Sequence, residues 1–423
     1  MNNSHPLNKL GSPHLHPSVI DNVYCCLFQN NMSRQPQPSA THRQPNLIIP
    51  VEIESLEEFD QYLQDKHSLA NVVFQSLDLT AYAETLKKYD LTNTVFLGCR
   101  LTPDTLTYIL NTGGLVFPPL TYVPYNAYRN RLYSPDELMG DYQVGVTGSY
   151  GHTLDGRVYD HYVNNGKDHP ASILETLAQR LHDHAITDAL EELIDGRKVV
   201  AMMGGHSLKR SDPNYIKVAL ISAELTRRSY LMTSGGGPGA MEATHLGAWF
   251  AYRSQAELED AVEILAAAPI YQPMEQWLDT AFAVKQKYPL QDKNGQYPES
   301  LGIPTWLYGH EPPTIFATHI AKLFANSIRE EGLLAIAKYG VIYSPGNAGT
   351  IQEIFQDACQ NHYNSFGVVS PMIFLGEEYW KCKKPVFPLL AQLAAGREYS
   401  SLLAITDSVD EVIQQIEQFA ATL

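Results

Sequence analysis

Positive charge is scarce in this chain: 30 lysines and arginines stand against 46 aspartates and glutamates, a formal net charge of −16. A polyanionic partner is held mainly by cations that neutralise its phosphates, so DNA and RNA are not expected as partners. Cysteine is scarcer still. The five, Cys25, Cys26, Cys99, Cys359 and Cys382, are odd in number, and no pair has the spacing of a zinc ribbon or a C-x-x-C redox motif. Reduced thiols in a cytoplasmic protein, with no metal site, are the expectation. No apolar run approaches the roughly 20 residues that a bilayer-spanning helix needs. The N-terminus has no secretory hydrophobic region either, so no membrane partner is expected.

What is present is ample core material. Apolar residues make up 44% of 423 residues, enough for a large α/β domain with a smaller N-terminal one. Residues 1 to about 46 are rich in Asn, Pro, Ser, His and Gln without periodicity, and read as a flexible arm. A short repeat follows. Asn71-Val-Val-Phe-Gln-Ser-Leu-Asp-Leu-Thr80 is echoed by Asn93-Thr-Val-Phe-Leu-Gly-Cys-Arg-Leu-Thr102 at a period of 22, with helical text over Tyr82 to Tyr89 and a third strand near Leu115 to Phe117. The Tyr-, Pro- and Gly-rich stretch from Pro118 to Asp168 reads as an irregular, ordered connection. A helix is expected from about Ala171 to Ile194. His182 and His184 lie two apart on it, on different faces, which suits surface histidines better than a metal pair.

From Asp195 onward, buried strands alternate with amphipathic helices. Strands are expected at Lys198 to Met203, Tyr230 to Thr233, Thr305 to Tyr308, Gly340 to Ser344, Met372 to Gly376 and Leu402 to Thr406. Between them come helices over Tyr215 to Arg228, Gln255 to Lys287 with a break at Pro269 to Pro273, Phe316 to Ala337 and Thr350 to Asn361. Helices near Phe387 to Ala395 and over Val409 to Ala421 complete the series. Such a βα series implies a Rossmann-like parallel sheet with helices on both faces. The expected organisation is therefore an arm over 1–46, an N-terminal α/β region and connection over 47–194, and a nucleotide-binding domain over 195–423.

Two strand-to-helix turns in that domain are glycine-rich. The first is Thr233-Ser234-Gly235-Gly236-Gly237-Pro238-Gly239-Ala240-Met241-Glu242, where a phosphate can approach the backbone and meet the positive end of the following helix, with Pro238 suited to its first turn. The second is Ser344-Pro345-Gly346-Asn347-Ala348-Gly349-Thr350-Ile351-Gln352-Glu353, with a hydroxyl on Thr350 for a phosphate. Turns at the carboxyl ends of parallel strands face one crevice, where open α/β sheets bind ligands. Glu353 reads equally as a site carboxylate or as the capping-box partner of Thr350. Arg329 can reach the crevice and grip a phosphate, or it can sit in an ion pair on a solvated helix face. The loop Tyr308-Gly-His-Glu-Pro-Pro313 is a further candidate for the pocket wall.

At these residues the sequence resembles the Lonely Guy family of phosphoribohydrolases, long called lysine decarboxylase-like, and especially its pyrimidine/purine nucleotide 5′-monophosphate nucleosidase branch. The resemblance rests on Gly204-Gly205-His206-Ser207, on Gly235-Gly-Gly-Pro-Gly-Ala-Met-Glu-Ala243 and on Pro345-Gly-Asn-Ala-Gly-Thr-Ile-Gln-Glu353, and spans Val199 to roughly Ala421. It implies hydrolysis of the N-glycosidic bond of a nucleoside 5′-monophosphate such as AMP, with Glu353 and Arg329 as the catalytic pair and no cofactor. It also implies a homo-dimer or larger assembly. A non-catalytic nucleotide sensor or carrier would use the same loops. An amino-acid decarboxylase has little support, since neither glycine loop offers a lysine for a Schiff base.

Overall fold

The computed structural model describes residues 50–423 except His67 and Ala171. The expected arm over 1–46, with Cys25 and Cys26, lies outside the described residues.

Among the described residues the strands form two parallel sheets. The smaller one contains β1 (Val51–Ile53), β2 (Val72–Gln75), β3 (Val95–Leu97) and β4 (Leu115–Phe117), in sequence order. The 22-residue echo is a physical stack: Asn93 Nδ2 donates to Asn71 Oδ1 at 3.3 Å, and Phe74 and Phe96 stack with centroids 5.0 Å apart. Both asparagines hold left-handed backbone angles, φ 62° and 58°, which Asn tolerates better than most residues. β1 and the helix Leu56–Asp65, closed by a Ser55–Glu58 capping box, extend the stack at its start. Neither matches the repeat consensus. The helical text after Thr80 is only a 3₁₀ turn over Thr80–Tyr82 and one short helix over Ala83–Leu86.

The connection over 118–168 is more regular than expected. A helix over Leu154–Asn164 starts where Thr153 Oγ1 accepts the Gly156 N–H; Tyr162 on this helix and Tyr125, Tyr128 and Tyr133 before it are buried. The next helix, Ile173–Ile194, corrects one reading: His184 is exposed, but His182 is fully buried, hydrogen-bonded to Tyr133 Oη and packed edge-on against Trp306 and Phe324. Burial pulls the His182 pKa down, so the ring is neutral at pH 7.

The larger sheet has the order β11-β10-β9-β5-β6-β7-β8, all pairs parallel. Its strands are β5 (Lys198–Met203), β6 (Tyr230–Ser234), β7 (Ser300–Gly302), β8 (His319–Ile320), β9 (Val341–Tyr343), β10 (Met372–Leu375) and β11 (Leu403–Thr406). With its helices it has the expected Rossmann-like α/β architecture. The chain leaves β5 toward β6, β7 and β8, then returns to the other side of β5 as β9. The boundary between β5 and β9 is thus the topological switch point, where neighbouring loops part and leave a crevice.

The sequence reading fails between β6 and β9. Thr305 to Tyr308 is a 3₁₀ turn over Trp306–Tyr308, started by the Thr305 hydroxyl accepting the Leu307 N–H, and the strand lies earlier, at Ser300–Gly302. The long helix expected from Phe316 is a two-residue strand and a loop, and the helix runs only over Asn326–Ala335. The cause is specific. The N–H groups of Phe324 and Ala325 both donate to the buried Asp183 carboxylate at 2.8 Å, which holds this backbone outside the helix.

Candidate functional site

Three turns meet at the carboxyl edge of the larger sheet, those after β5, β6 and β9. The Ser344 N–H donates to Met203 O at 2.8 Å, Gly205 N–H to Pro345 O at 3.2 Å, and Ala240 N–H to Gly205 O at 3.2 Å. The Gly204-Gly205 turn is therefore laced between the two glycine loops. Its glycines are demanded by close approach: a Cβ on Gly204 would lie 2.6 Å from Ala240 Cβ and 3.0 Å from Ser344 Cβ. Ser344 Oγ, buried nearby, has no hydrogen-bond partner among the described residues. Ser207 closes this turn and lies exposed beside His206.

In the first glycine loop Gly236 and Gly239 hold φ of 70° and 72°, conformations that L side chains rarely adopt. Gly239 is the N-cap of the helix Ala240–Trp249, so Pro238 precedes the helix instead of sitting in its first turn. Ser234 Oγ accepts the Gly236 N–H and bonds His245 Nε2 at 2.8 Å; burial pushes His245 down to about 3, so it is a neutral brace. Met241 packs its sulfur under Gly235 and its methyl under Gly237. Glu242 is buried in a bidentate pair with Arg210 and also accepts from Tyr215 Oη at 2.9 Å. Its charge anchors the helix within the core.

In the second loop Asn347 is the N-cap of the helix Ala348–Tyr363 with φ −110°. Left-handed tolerance is therefore not what admits asparagine there. Its side-chain oxygen accepts from Lys384 Nζ at 2.9 Å, and Tyr379 Oη donates to Gly346 O. Gly346 has no alternative, because a Cβ would lie 2.2 Å from Thr350 Oγ1. Gly349, in the first turn, meets nothing within 4 Å at its Cβ position. Thr350 is inside the helix rather than at its cap, so Thr350 and Glu353 do not form a capping box.

Arg329 joins the two loops. A Cβ on Gly235 would lie 3.2 Å from its Nη1, and the same atom is 4.0 Å from Glu353 Oε1. Its Nε and Nη2 hydrogen-bond Asn326 Oδ1, fixing the guanidinium, and its side chain is only 11% exposed. Arg329 also lies 3.6 Å from Glu330, whose own carboxylate is taken by Asn326 and Gln352. The solvated-face reading of Arg329 therefore gives way to a position against both loops. Burial pushes Glu353 up to about 7, Arg329 pulls it down and Glu330 raises it.

Glu311 lies beside the first glycine loop, near Gly237, with His206, His310 and Tyr271 around it. Asp183 reaches the site indirectly, through the backbone that leads into the Arg329 helix. Asp183 could not be singled out from the sequence, because its partners lie 141 and 142 residues away. Lys384, in the run Lys381-Cys-Lys-Lys384 after β10, was not singled out in the sequence. Elsewhere, a surface recess of about 700 Å³ between the helices Pro213–Arg227 and Val409–Ala420 is lined by Arg227, Arg228, Glu224 and Glu417, whose charges pair with one another, and by none of the loop residues. Among the described residues, no group of three or more His, Cys, Asp or Glu is placed to hold a metal, and no helix is long and apolar enough to cross a membrane.

No family model and no curated protein matches the chain. Solved structures similar to it include a Moco carrier protein from Chlamydomonas reinhardtii, at 12% identity and TM-score 0.33, covering 54% of this chain and 99% of that one. Another is the molybdenum cofactor binding protein from Rippkaea orientalis, at 14% identity and TM-score 0.32, covering 53% and 98%. These two are named as carrier and binding proteins, and neither as a phosphoribohydrolase. Against these structures the expected membership of the Lonely Guy family, the N-glycosidic hydrolysis and the enzyme assignment are corrected.

Proposed function

We propose that this chain is a cytoplasmic binding protein, a sensor or carrier, that holds a nucleoside 5′-monophosphate by its phosphate without cleaving it. The observation that carries the reading is Arg329, whose guanidinium lies against Gly235 of one glycine turn while facing Glu353 on the helix that leaves the other. One phosphate at that point would accept backbone N–H groups from both turns and a charge-assisted bond from Arg329. Local cations offset the acidity of the whole: Arg329 from one side and Lys384 from the other. The ligand-binding part would be residues 195–423, with the 47–194 region as a separate structural part, no nucleic acid as partner, and a homo-dimer or larger assembly readable by light scattering.

The test is calorimetric titration of the full chain with AMP, paired with chromatography for released base and ribose 5-phosphate. Saturable binding with no release is the expected outcome. Release of free base, or no binding of any nucleoside monophosphate, contradicts the proposal.

A further inference from the structure

The first glycine loop has a second acidic group beside it, Glu311. Glu311 follows the 3₁₀ turn Trp306–Tyr308, and its backbone is fixed by its own N–H donating to Tyr308 O at 2.8 Å. The loop is pinned below by Tyr159, against which Gly309 packs so closely that a Cβ would lie 2.2 Å from the ring. Its other end is tied to the first glycine loop, because the Thr314 N–H donates to Gly236 O at 2.8 Å. The Glu311 carboxylate thereby hangs over the phosphate turn: a Cβ on Gly237 would lie 3.7 Å from its Oε2. Only 15% of the side chain is exposed, yet its neighbours are two imidazoles, His206 at 3.5 Å and His310 at 3.9 Å, both beyond ordinary hydrogen-bond length. Both carboxylate oxygens thus retain acceptor capacity in a half-enclosed wall.

A carboxylate repels a phosphate, so this group is aimed at a neutral donor in the same ligand. In a nucleotide the unit bonded directly to the phosphate is the sugar, and its adjacent 2′- and 3′-hydroxyls offer two O–H donors to the two oxygens of one carboxylate. His206, half exposed and edge-on to Tyr271 at 6.1 Å, stands beyond as an aromatic surface. We infer that Glu311 is a specificity residue that accepts the ribose diol and makes this site selective for ribonucleoside over deoxyribonucleoside monophosphates. The inference rests on the proposed phosphate site between the glycine turns.

The experiment is calorimetry on the full chain with AMP, 2′-deoxy-AMP and inorganic phosphate, for the wild type, Glu311→Ala and Glu311→Gln, with thermal melting to establish that each variant is folded. The wild type should bind AMP about tenfold or more tighter than 2′-deoxy-AMP, the loss of one charge-assisted hydrogen bond. Glu311→Ala should bind the two about equally and leave phosphate affinity unchanged or improved, with Glu311→Gln in between. AMP binding without sugar discrimination in the wild type, or discrimination that survives Glu311→Ala, overturns the diol assignment alone. Failure of AMP and phosphate alike to bind overturns the phosphate site and this inference together.

Discussion

Arg329 and Glu353 carry the account at the level of single residues. Arg329→Gln keeps the length of the side chain roughly while removing its charge, and should weaken AMP binding by about tenfold to a hundredfold, the worth of a charge-assisted hydrogen bond. Calorimetry reads this directly, and an unchanged affinity would remove Arg329 from the site. Glu353 has an ionisation near neutral pH, with its pKa pushed up to about 7 by burial. As pH rises through 7 its proton leaves and a negative charge appears beside Arg329, so affinity for an anionic ligand should fall from about pH 6 to 8, an interval of about two units around that pKa. Glu353→Gln cannot ionise and should flatten that fall. An equal fall in both proteins would place the titrating group elsewhere. Glu242, in contrast, belongs to the core. Glu242→Gln leaves Arg210 buried with a weakened partner and should cost about 3 to 5 kcal/mol of stability, checked by denaturant unfolding.

Asp183 makes its argument through an element. Its carboxylate accepts the Phe324 and Ala325 N–H groups and so sets where the helix Asn326–Ala335 begins, which in turn sets where Arg329 arrives. Asp183→Asn can offer only one carbonyl oxygen to two donors. It should lower AMP affinity several-fold although it touches no ligand, and hydrogen exchange at residues 324–329 should rise with it. Exchange that stays unchanged would mean that the helix start is held by other contacts. This element also explains why the sequence misleads here: Ala321 to Ala325 has helical composition, and the tertiary bonds that override it come from a residue far away in the chain. β7 and β8, three and two residues long, are too short to show any periodicity. β5, β6 and β9 were legible because each is a buried apolar run ending in glycine or serine-proline. The glycine turns were legible with them. Glu311 was visible only as part of a loop, and the Arg329 alternatives were separated only by the placement of Gly235.

The whole molecule should show a pH dependence of its own. Burial holds Glu353, Asp357 and Glu54 at about 7, above their unfolded values, so between about pH 4.5 and 7 the folded state binds more protons than the unfolded one. Stability therefore falls as pH rises across that window. Glu299, bonded to His319 and Arg197, is held down at about 2 and acts oppositely, adding stability as pH rises from about 2 to 4.5. The net charge of −16 adds self-repulsion on the alkaline side. A melting temperature that peaks near pH 5 and declines toward pH 8 is expected, and a steady rise from 5 to 8 would contradict these buried acids. The larger claim, that two turns more than a hundred residues apart in the chain serve a single anion, is tested most directly by a crystal structure of the protein with AMP. The account predicts the phosphorus atom between the Gly235–Gly239 and Gly346–Thr350 turns, within hydrogen-bond reach of Arg329. AMP bound elsewhere, or with its phosphate in open solvent, would contradict it.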